Sequence, residues 1–288
     1  MNSRQATVSK ILTYSCVDGP GNRLVIFLQG CNFNCPTCHN PHTIGLCNSC
    51  GDCISACAQN ALSLRGGQIE FAAAACDQCD ACLRACPISA NPMVRSYGVQ
   101  NILKIARRNL PFLDGITLSG GEATLQLKFA TALFQAVHED PELKVLSCFI
   151  DSNGHLGPEG WSKILPVTDG VMLDIKAFDP ETHKALTGKG NTRSLQSART
   201  LHRAGKLFEL RFLVVPGYTD TAQEVAQLCD FASSLGQGVR IKLNAFQHHG
   251  VTGKARDWPK ASRPMIEGIA AQLRNSGVAQ VVTPAVYV

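Results

Sequence analysis

Three cysteines, Cys31, Cys35 and Cys38, stand with three and then two residues between them in the stretch Gly30 to Pro41, GCNFNCPTCHNP. A four-iron four-sulfur cluster has four irons, each wanting one thiolate, so a local set of three leaves one iron open to a substrate. The same logic separates catalytic zinc, with three protein ligands and a vacancy, from structural zinc with a closed set of four. Spacing alone leaves a second reading open, a zinc ion completed by His39 or His42. Eight further cysteines follow. Cys47, Cys50, Cys53 and Cys57, then Cys76, Cys79, Cys82 and Cys86, each read C-x-x-C-x-x-C-x-x-x-C. This is the bacterial ferredoxin spacing, in which the fourth cysteine ligates the other cluster. The predicted sets are therefore Cys47, Cys50, Cys53 and Cys86 for one cluster, and Cys76, Cys79, Cys82 and Cys57 for the other. The trailing proline is present in the second half as Pro87 and replaced by Ala58 in the first. A pair of zinc knuckles is the alternative, and the closing x-x-x-C in both halves speaks against it. Three four-iron clusters in all are expected.

Fourteen cysteines in a chain whose first residues, MNSRQATVSK, contain no apolar signal core argue for metal rather than disulfides. The expected location is the cytoplasm. Cys16, Cys148 and Cys229 lie outside the three clusters and read as small buried apolar residues. A formal charge of +5 with no Lys/Arg block gives nucleic acid binding no support. No apolar run approaches the roughly 20 residues needed to span a bilayer, so no membrane role is expected.

These cysteines need a scaffold to hold them. The D-G-P-G stretch, Asp18 to Gly21, is turn chemistry, and Leu24 to Leu28 is a continuous apolar run expected of a strand buried on both faces. The cysteine loop then begins at a strand's C-terminal end. Beyond Asn91, helical stretches carrying Val99, Ile102, Leu103, Ala106 and Leu110, then Leu127, Ala130, Phe134 and Val137, alternate with a strand at Gly115 to Leu118. Further strands are predicted at Val145 to Ile150, Gly170 to Ile175, Phe208 to Val215 and Val239 to Ala245. Helices are predicted near 192–204, 221–235 and 262–275, and an edge strand at Val281 to Val288. Six such units predict an α/β fold, an incomplete parallel (β/α)6 barrel. The barrel is assigned to 1–42 and 91–288, and 43–90 to an inserted two-cluster ferredoxin-like module. Barrel active sites lie at strand C-terminal ends. The cysteines, SGGE (Ser119 to Glu122), DSNG (Asp151 to Gly154), DIK (Asp174 to Lys176) and VVPG (Val214 to Gly217) all fall there. Taken singly, SGGE and DSNG also read as generic turns, and Asp151 and Asp174 as strand-end caps.

The run DGPGNRLVIFLQGCNFNCPTCHNP, Asp18 to Pro41, resembles the glycyl radical enzyme activating enzymes of the radical S-adenosylmethionine superfamily. The resemblance extends through SGGE, DSNG, MLDIK and RFLVVPG, and the cysteine-rich insert resembles one found in a subset of them. It implies a four-iron cluster on Cys31, Cys35 and Cys38 that binds S-adenosylmethionine and cleaves it reductively to a 5′-deoxyadenosyl radical. That radical takes hydrogen from a glycine of a partner glycyl radical enzyme, and a flavodoxin- or ferredoxin-type protein donates the electron. Thr37, Cys38 and His39 would lie under the adenine, and Ser119, Gly120 and Gly121 beside the methionine amino group, with Glu122 bracing their loop. Lys176 would face the methionine carboxylate. Asp151, Ser152, the Met172 carbonyl and Asp174, with Ile175 adjoining, match positions around a monovalent cation. Asp18 matches an aspartate near the radical, and Arg211, inside an apolar strand, calls for a buried anionic partner. The family's histidine after the sixth strand aligns with Gln247 here, and His248 is the expected substitute. A radical enzyme acting on a small molecule shares the core motifs. An electron-transfer iron–sulfur protein would not need an open three-cysteine set.

Overall fold

The computed structural model describes residues 5–236 and 238–285 of the 288. It forms two compact units, Met1–Asn32 with Asn40–Leu146, and Phe33–His39 with Ser147–Val288.

In the first unit the elements run β1 (Gln5–Leu12), β2 (Arg23–Leu28), β3 (Leu62–Arg65), β4 (Gln68–Phe71), α1 (Ala81–Ala85), β5 (Arg95–Gly98), α2 (Val99–Asn109), β6 (Gly115–Gly120) and α3 (Leu127–Glu139). Strand β2 is the apolar run seen in the sequence, and its Leu24, Val25, Ile26 and Leu28 are fully buried. It pairs with β6 in parallel, from Arg23 opposite Gly115 to Leu28 opposite Gly120. Strand β1, which was not anticipated, pairs antiparallel with β2 and with β5. Its buried Ala6 and Val8 alternate with exposed Gln5 and Thr7, the period-2 signature of a half-buried strand. The cysteine-rich segment is closed at its base by an antiparallel bridge between Thr43 and Ala90.

In the second unit strands and helices alternate: β7 (Ser147–Ser152), α4 (Pro158–Ile164), β8 (Gly170–Ile175), α5 (Pro180–Thr187), α6 (Thr192–Arg203), β9 (Leu207–Val214), α7 (Ala222–Leu235), β10 (Arg240–Ala245), α8 (Arg263–Asn275) and β11 (Gln280–Val282). Strands β7 to β11 pair in order and all in parallel. One face of the sheet is apolar core, with Val171, Leu173, Leu210, Phe212, Ile241 and Leu243 fully buried. Between β8 and β9 the register slips: Val171 faces Leu207 but Met172 faces Glu209, leaving Phe208 as the extra residue of a bulge. The predicted strand at 145–150 starts later, at Ser147, because Leu143–Val145 forms a single 3-10 turn. Helices α4 and α5 were not anticipated. The expected terminal strand forms over Gln280–Val282, and 286–288 lie outside the described residues. No helix among the described residues is long and apolar enough to cross a membrane.

Candidate active site and metal centres

In the first unit the strand-end loops are held together through backbone. Gly30 N–H donates to Thr43 O at 2.8 Å and Cys31 N–H to Ile44 O at 3.0 Å, so the start of the cysteine loop is tied to residues just beyond it. The SGGE loop packs on the same strand end: Gly121 N–H donates to Leu28 O at 2.9 Å and Glu122 N–H to Gly30 O at 2.8 Å. A Cβ on Gly121 would lie 2.2 Å from Gly30 O, and one on Gly120 2.3 Å from Leu28 N. Backbone contact therefore requires both glycines, whatever they do toward a ligand. The Glu122 side chain is 1% exposed. It accepts from Thr124 N–H at 3.0 Å and Thr124 Oγ1 at 2.6 Å, which braces the loop. Asp18 accepts from Ser15 Oγ, and its carbonyl accepts from Thr117 Oγ1 at 2.7 Å, pinning the D-G-P-G turn to β6.

The second unit holds the rest of the cysteine loop. Phe33 is buried, with the rings of His155 and His183 edge-on at 5.5 and 5.6 Å. Asn34 N–H donates to Thr187 O at the end of α5 at 2.9 Å, and Cys38 N–H to Cys35 O at 3.1 Å. Thr37 is buried. Lys176, one residue past β8, puts Nζ 2.7 Å from Asp174 Oδ2. Burial works against its ammonium, yet Asp174 and the Cys35 and Cys38 thiols hold its pKa above the usual lysine range. His39 meets the loop after β10, where a Cβ on Gly250 would fall 2.1 Å from His39 O.

On the face of this sheet opposite the apolar core, Arg211 finds the buried anionic partners its position demands. Its Nε lies 2.8 Å from Glu209 Oε1 and its Nη1 3.3 Å from Asp151 Oδ1, while Arg240 reaches Glu209 Oε2 at 2.9 Å. Burial opposes the Arg211 charge, but Asp151, Asp174 and Glu209 more than compensate and raise its pKa. Burial likewise raises Glu209, and Arg211 and Arg240 outweigh it, so the carboxyl sits below its usual range. The DSNG turn is locked locally. Ser152 Oγ accepts from Gly154 N–H at 3.0 Å, and Ser194 Oγ and Ser197 Oγ of α6 donate to Asn153 O and Gly154 O at 2.7 and 2.6 Å. His248 Nε2 faces Trp258 O at 2.7 Å, and Gln247 Nε2 donates to Ala261 O at 3.1 Å.

Back in the first unit, the insert repeats itself at a 29-residue offset down to its hydrogen bonds. Ala61 N–H donates to Cys57 Sγ at 3.2 Å, and Ala90 N–H to Cys86 Sγ at 3.3 Å. Cys50 N–H donates to Asn48 Oδ1, and Cys79 N–H to Asp77 Oδ1. Ser49 and Gln78 both take positive φ, as do Asn60 and Ser89. A small cavity is lined by Cys47, Cys50, Cys53 and Cys86. Burial pushes the Cys53 thiol up to about 11, with Cys47 and Cys86 among its neighbours, while burial also raises Cys82, beside Cys57 and Cys76. Cys86 thus lies with Cys47, Cys50 and Cys53, and Cys57 lies near Cys76 and Cys82. No disulfide joins any of the fourteen cysteines; Cys148 and Cys229 are buried as expected, whereas Cys16 is exposed. Thiols grouped in this way are donor chemistry that fits iron–sulfur clusters.

Residues 25–232 match the Radical SAM superfamily. The chain belongs to that superfamily. Relatives of this radical SAM protein are activating enzymes. It is 31% identical over 251 residues to the pyruvate formate-lyase-activating enzyme of Streptococcus mutans serotype c, covering 84% of this chain and 78% of the relative. It is 30% identical over 302 residues to the (2S)-3-sulfopropanediol sulfolyase activating enzyme of Bilophila wadsworthia, covering 94% of each. The crystal structure of QueE from Escherichia coli superposes with a TM-score of 0.52 at 11% identity over 97% of this chain and 94% of that one, a likeness of fold.

Sequence reasoning missed three residues that contact the candidate site residues or the cysteine loop. His155 and His183 flank Phe33, and Glu209 joins two arginines. For Glu209 a signal existed: in FELRFL, Glu209 and Arg211 alternate with apolar residues, which places both on one strand face.

Proposed function

We propose that this radical SAM protein activates a glycyl radical enzyme. With a four-iron cluster on Cys31, Cys35 and Cys38 and S-adenosylmethionine bound, the site supplies a 5′-deoxyadenosyl radical able to take hydrogen from a glycine α-carbon of the partner. A glycine suits this because no side chain obstructs its backbone. The observation that carries the reading is the three-thiol loop with the Lys176 ammonium beside Cys35 and Cys38. Around it, Lys176 offers a positive charge to the methionine carboxylate, and Thr37 and His39 flank the adenine. Ser119, Gly120 and Gly121 present small residues to the methionine amino group. Asp151, Ser152 and Asp174, with Ile175 adjoining, supply oxygen ligands for a monovalent cation. Asp18 and Arg211 serve near the radical, and His248 takes the place of the family histidine. That two relatives of this chain are activating enzymes favours a protein substrate over a small molecule.

The finer architecture belongs to the same reading. Parallel strands alternating with helices make an incomplete (β/α)6 barrel over 1–42 and 91–288, and 43–90 is a two-cluster insert. The Thr43–Ala90 bridge and the 29-residue repeat support the insert. Its clusters take electrons from a flavodoxin- or ferredoxin-type donor and pass them on. Anaerobic reconstitution should yield roughly twelve irons, four for each of three clusters. Replacing Cys31, Cys35 and Cys38 together with alanine should remove about four irons and abolish 5′-deoxyadenosine formation. Stoichiometric zinc without labile sulfide would end this reading.

A further inference from the structure

Side chains of parallel strands fall in rows, since register neighbours on one face stand one strand spacing apart, about 4.8 Å. In the second unit Asp174 is opposite Arg211, and Arg211 is opposite Lys242. One row down, Asp151 is opposite Met172 and Met172 opposite Glu209. Arg240 precedes Ile241, the partner of Leu210, and so joins the row of Glu209.

With Lys176 at the end of β8, this face gathers four cations against three carboxylates. Three of the cations are paired: Lys176 with Asp174, Arg211 with Asp151 and Glu209, and Arg240 with Glu209. Among the described residues Lys242 makes neither an ion pair nor a hydrogen bond, and it stands half-buried beside another cation. Like charges side by side on a sheet destabilise it. Burial pushes the Lys242 ammonium below the usual lysine range and Arg211 adds to the effect, together outweighing the attraction of Glu209 and Asp151. A half-buried cation with no directly paired counter-ion among the described residues, next to a guanidinium fixed by carboxylates, is an arrangement that an incoming anion relieves. Arginine and lysine together suit a carboxylate, whose two oxygens accept charge-assisted hydrogen bonds.

We propose that Lys242, beside Arg211, binds a carboxylate of one of the protein's substrates. Only the naming of its source rests on the activating-enzyme reading, which offers two: the methionine carboxylate of S-adenosylmethionine, or an acidic side chain next to the partner's target glycine.

The test uses anaerobically reconstituted full-length protein as wild type, Lys242→Gln and Lys242→Arg, with calorimetric binding of two probe pairs. S-adenosylhomocysteine carries the amino-acid carboxylate and methylthioadenosine lacks it. Two synthetic peptides with a central glycine differ only in a flanking Asp or Asn. Lys242→Gln should weaken one carboxylate probe about tenfold or more, the scale of one charge-assisted hydrogen bond, and leave its neutral counterpart unchanged. Lys242→Arg should restore most of the loss. Whichever pair responds names the source. Equal weakening of a probe and its neutral counterpart, or none in either pair, would overturn the proposal. So would a melting temperature of ligand-free Lys242→Gln below that of wild type, since removal of an unpaired cation should not destabilise the chain. If wild type makes no 5′-deoxyadenosine, the activating-enzyme reading fails, whereas a selective loss of the homocysteine-bearing probe still supports the subsite.

Discussion

Lys176 reaches Asp174 across the end of β8, Nζ to Oδ2 at 2.7 Å, with the two side chains 21% and 27% exposed. The ammonium is thereby held in place next to Cys35 and Cys38 without being a cluster ligand. Lys176→Ala should weaken S-adenosylmethionine binding ten- to hundredfold, the scale of one charge-assisted contact of about 1.5 to 3 kcal/mol. Iron content should stay at the wild-type level. Asp151→Ala should act the same way, because it removes a carboxylate oxygen from the proposed monovalent-cation position on the methionine-carboxylate side while supplying no cluster ligand. Calorimetry paired with iron analysis checks both, and unchanged affinity in both variants would remove these residues from the site.

Gly121 has no room for a methyl group, since a Cβ would stand 2.2 Å from Gly30 O and 2.6 Å from Thr43 O. Both obstacles are backbone and cannot swing aside. Gly121→Ala should push the SGGE loop off the start of the cysteine loop, lowering the melting temperature and the iron bound at Cys31, Cys35 and Cys38. Gly157→Ala serves as a control, because nothing lies within 4 Å of its Cβ position. Equal melting temperatures for the two variants would show that the close approach does not constrain the site.

Glu209 titrates below its usual range in the fold because Arg211 and Arg240 outweigh the effect of burial. A depressed carboxyl stabilises the folded chain at pH above its unfolded value, about 4.3, and that contribution is lost as pH falls through the folded value. Denaturant unfolding followed from pH 7 downward should therefore show wild type losing its advantage over Glu209→Gln below about pH 4.3. Parallel curves for the two proteins would remove Glu209 from the charge network.

The two halves of the insert are matched in spacing and in hydrogen bonding, with each closing cysteine accepting a backbone N–H from the alanine four residues on. Closed thiolate sets cannot bind S-adenosylmethionine, but they are suited to carrying electrons. The Cys50→Ala/Cys79→Ala variant should still bind S-adenosylmethionine. It should form glycyl radical on the partner much more slowly with a protein reductant and less so with a small chemical one, as followed by electron paramagnetic resonance. Equal slowing with both reductants would assign the insert a structural or docking role, and no slowing with either would leave it outside activation.

The candidate metal donors could be picked out in the sequence because ligand reach is local: cysteines two or three residues apart on a loop can share a cluster whatever the rest of the chain does. Strands β2 and β8 were legible as apolar runs bounded by turns, and α3 and α7 as apolar stripes at helical spacing. Strands β1 and β5 were not, since each is half-exposed and gains its stability from antiparallel pairing that spacing does not announce. Helices α4 and α5, with 7 and 8 residues, are too short for a periodicity to stand out.

The sequence by itself determined which residues could do chemistry: the open cysteine triplet, the two crossed quartets, Lys176, and an arginine in need of a buried anion. Only the tertiary structure decided which charges meet. The bulge at Phe208 shifts β9 by one residue against β8, so that Asp174 faces Arg211 rather than Leu210 and Met172 faces Glu209 rather than Phe208. A one-residue slip in a strand carries every side chain to the opposite face. Register therefore makes Arg211 the centre of an ion-pair network and leaves Lys242 beside it without a direct ion pair among the described residues, because strand pairing is settled by packing over the whole sheet and leaves no mark in local spacing.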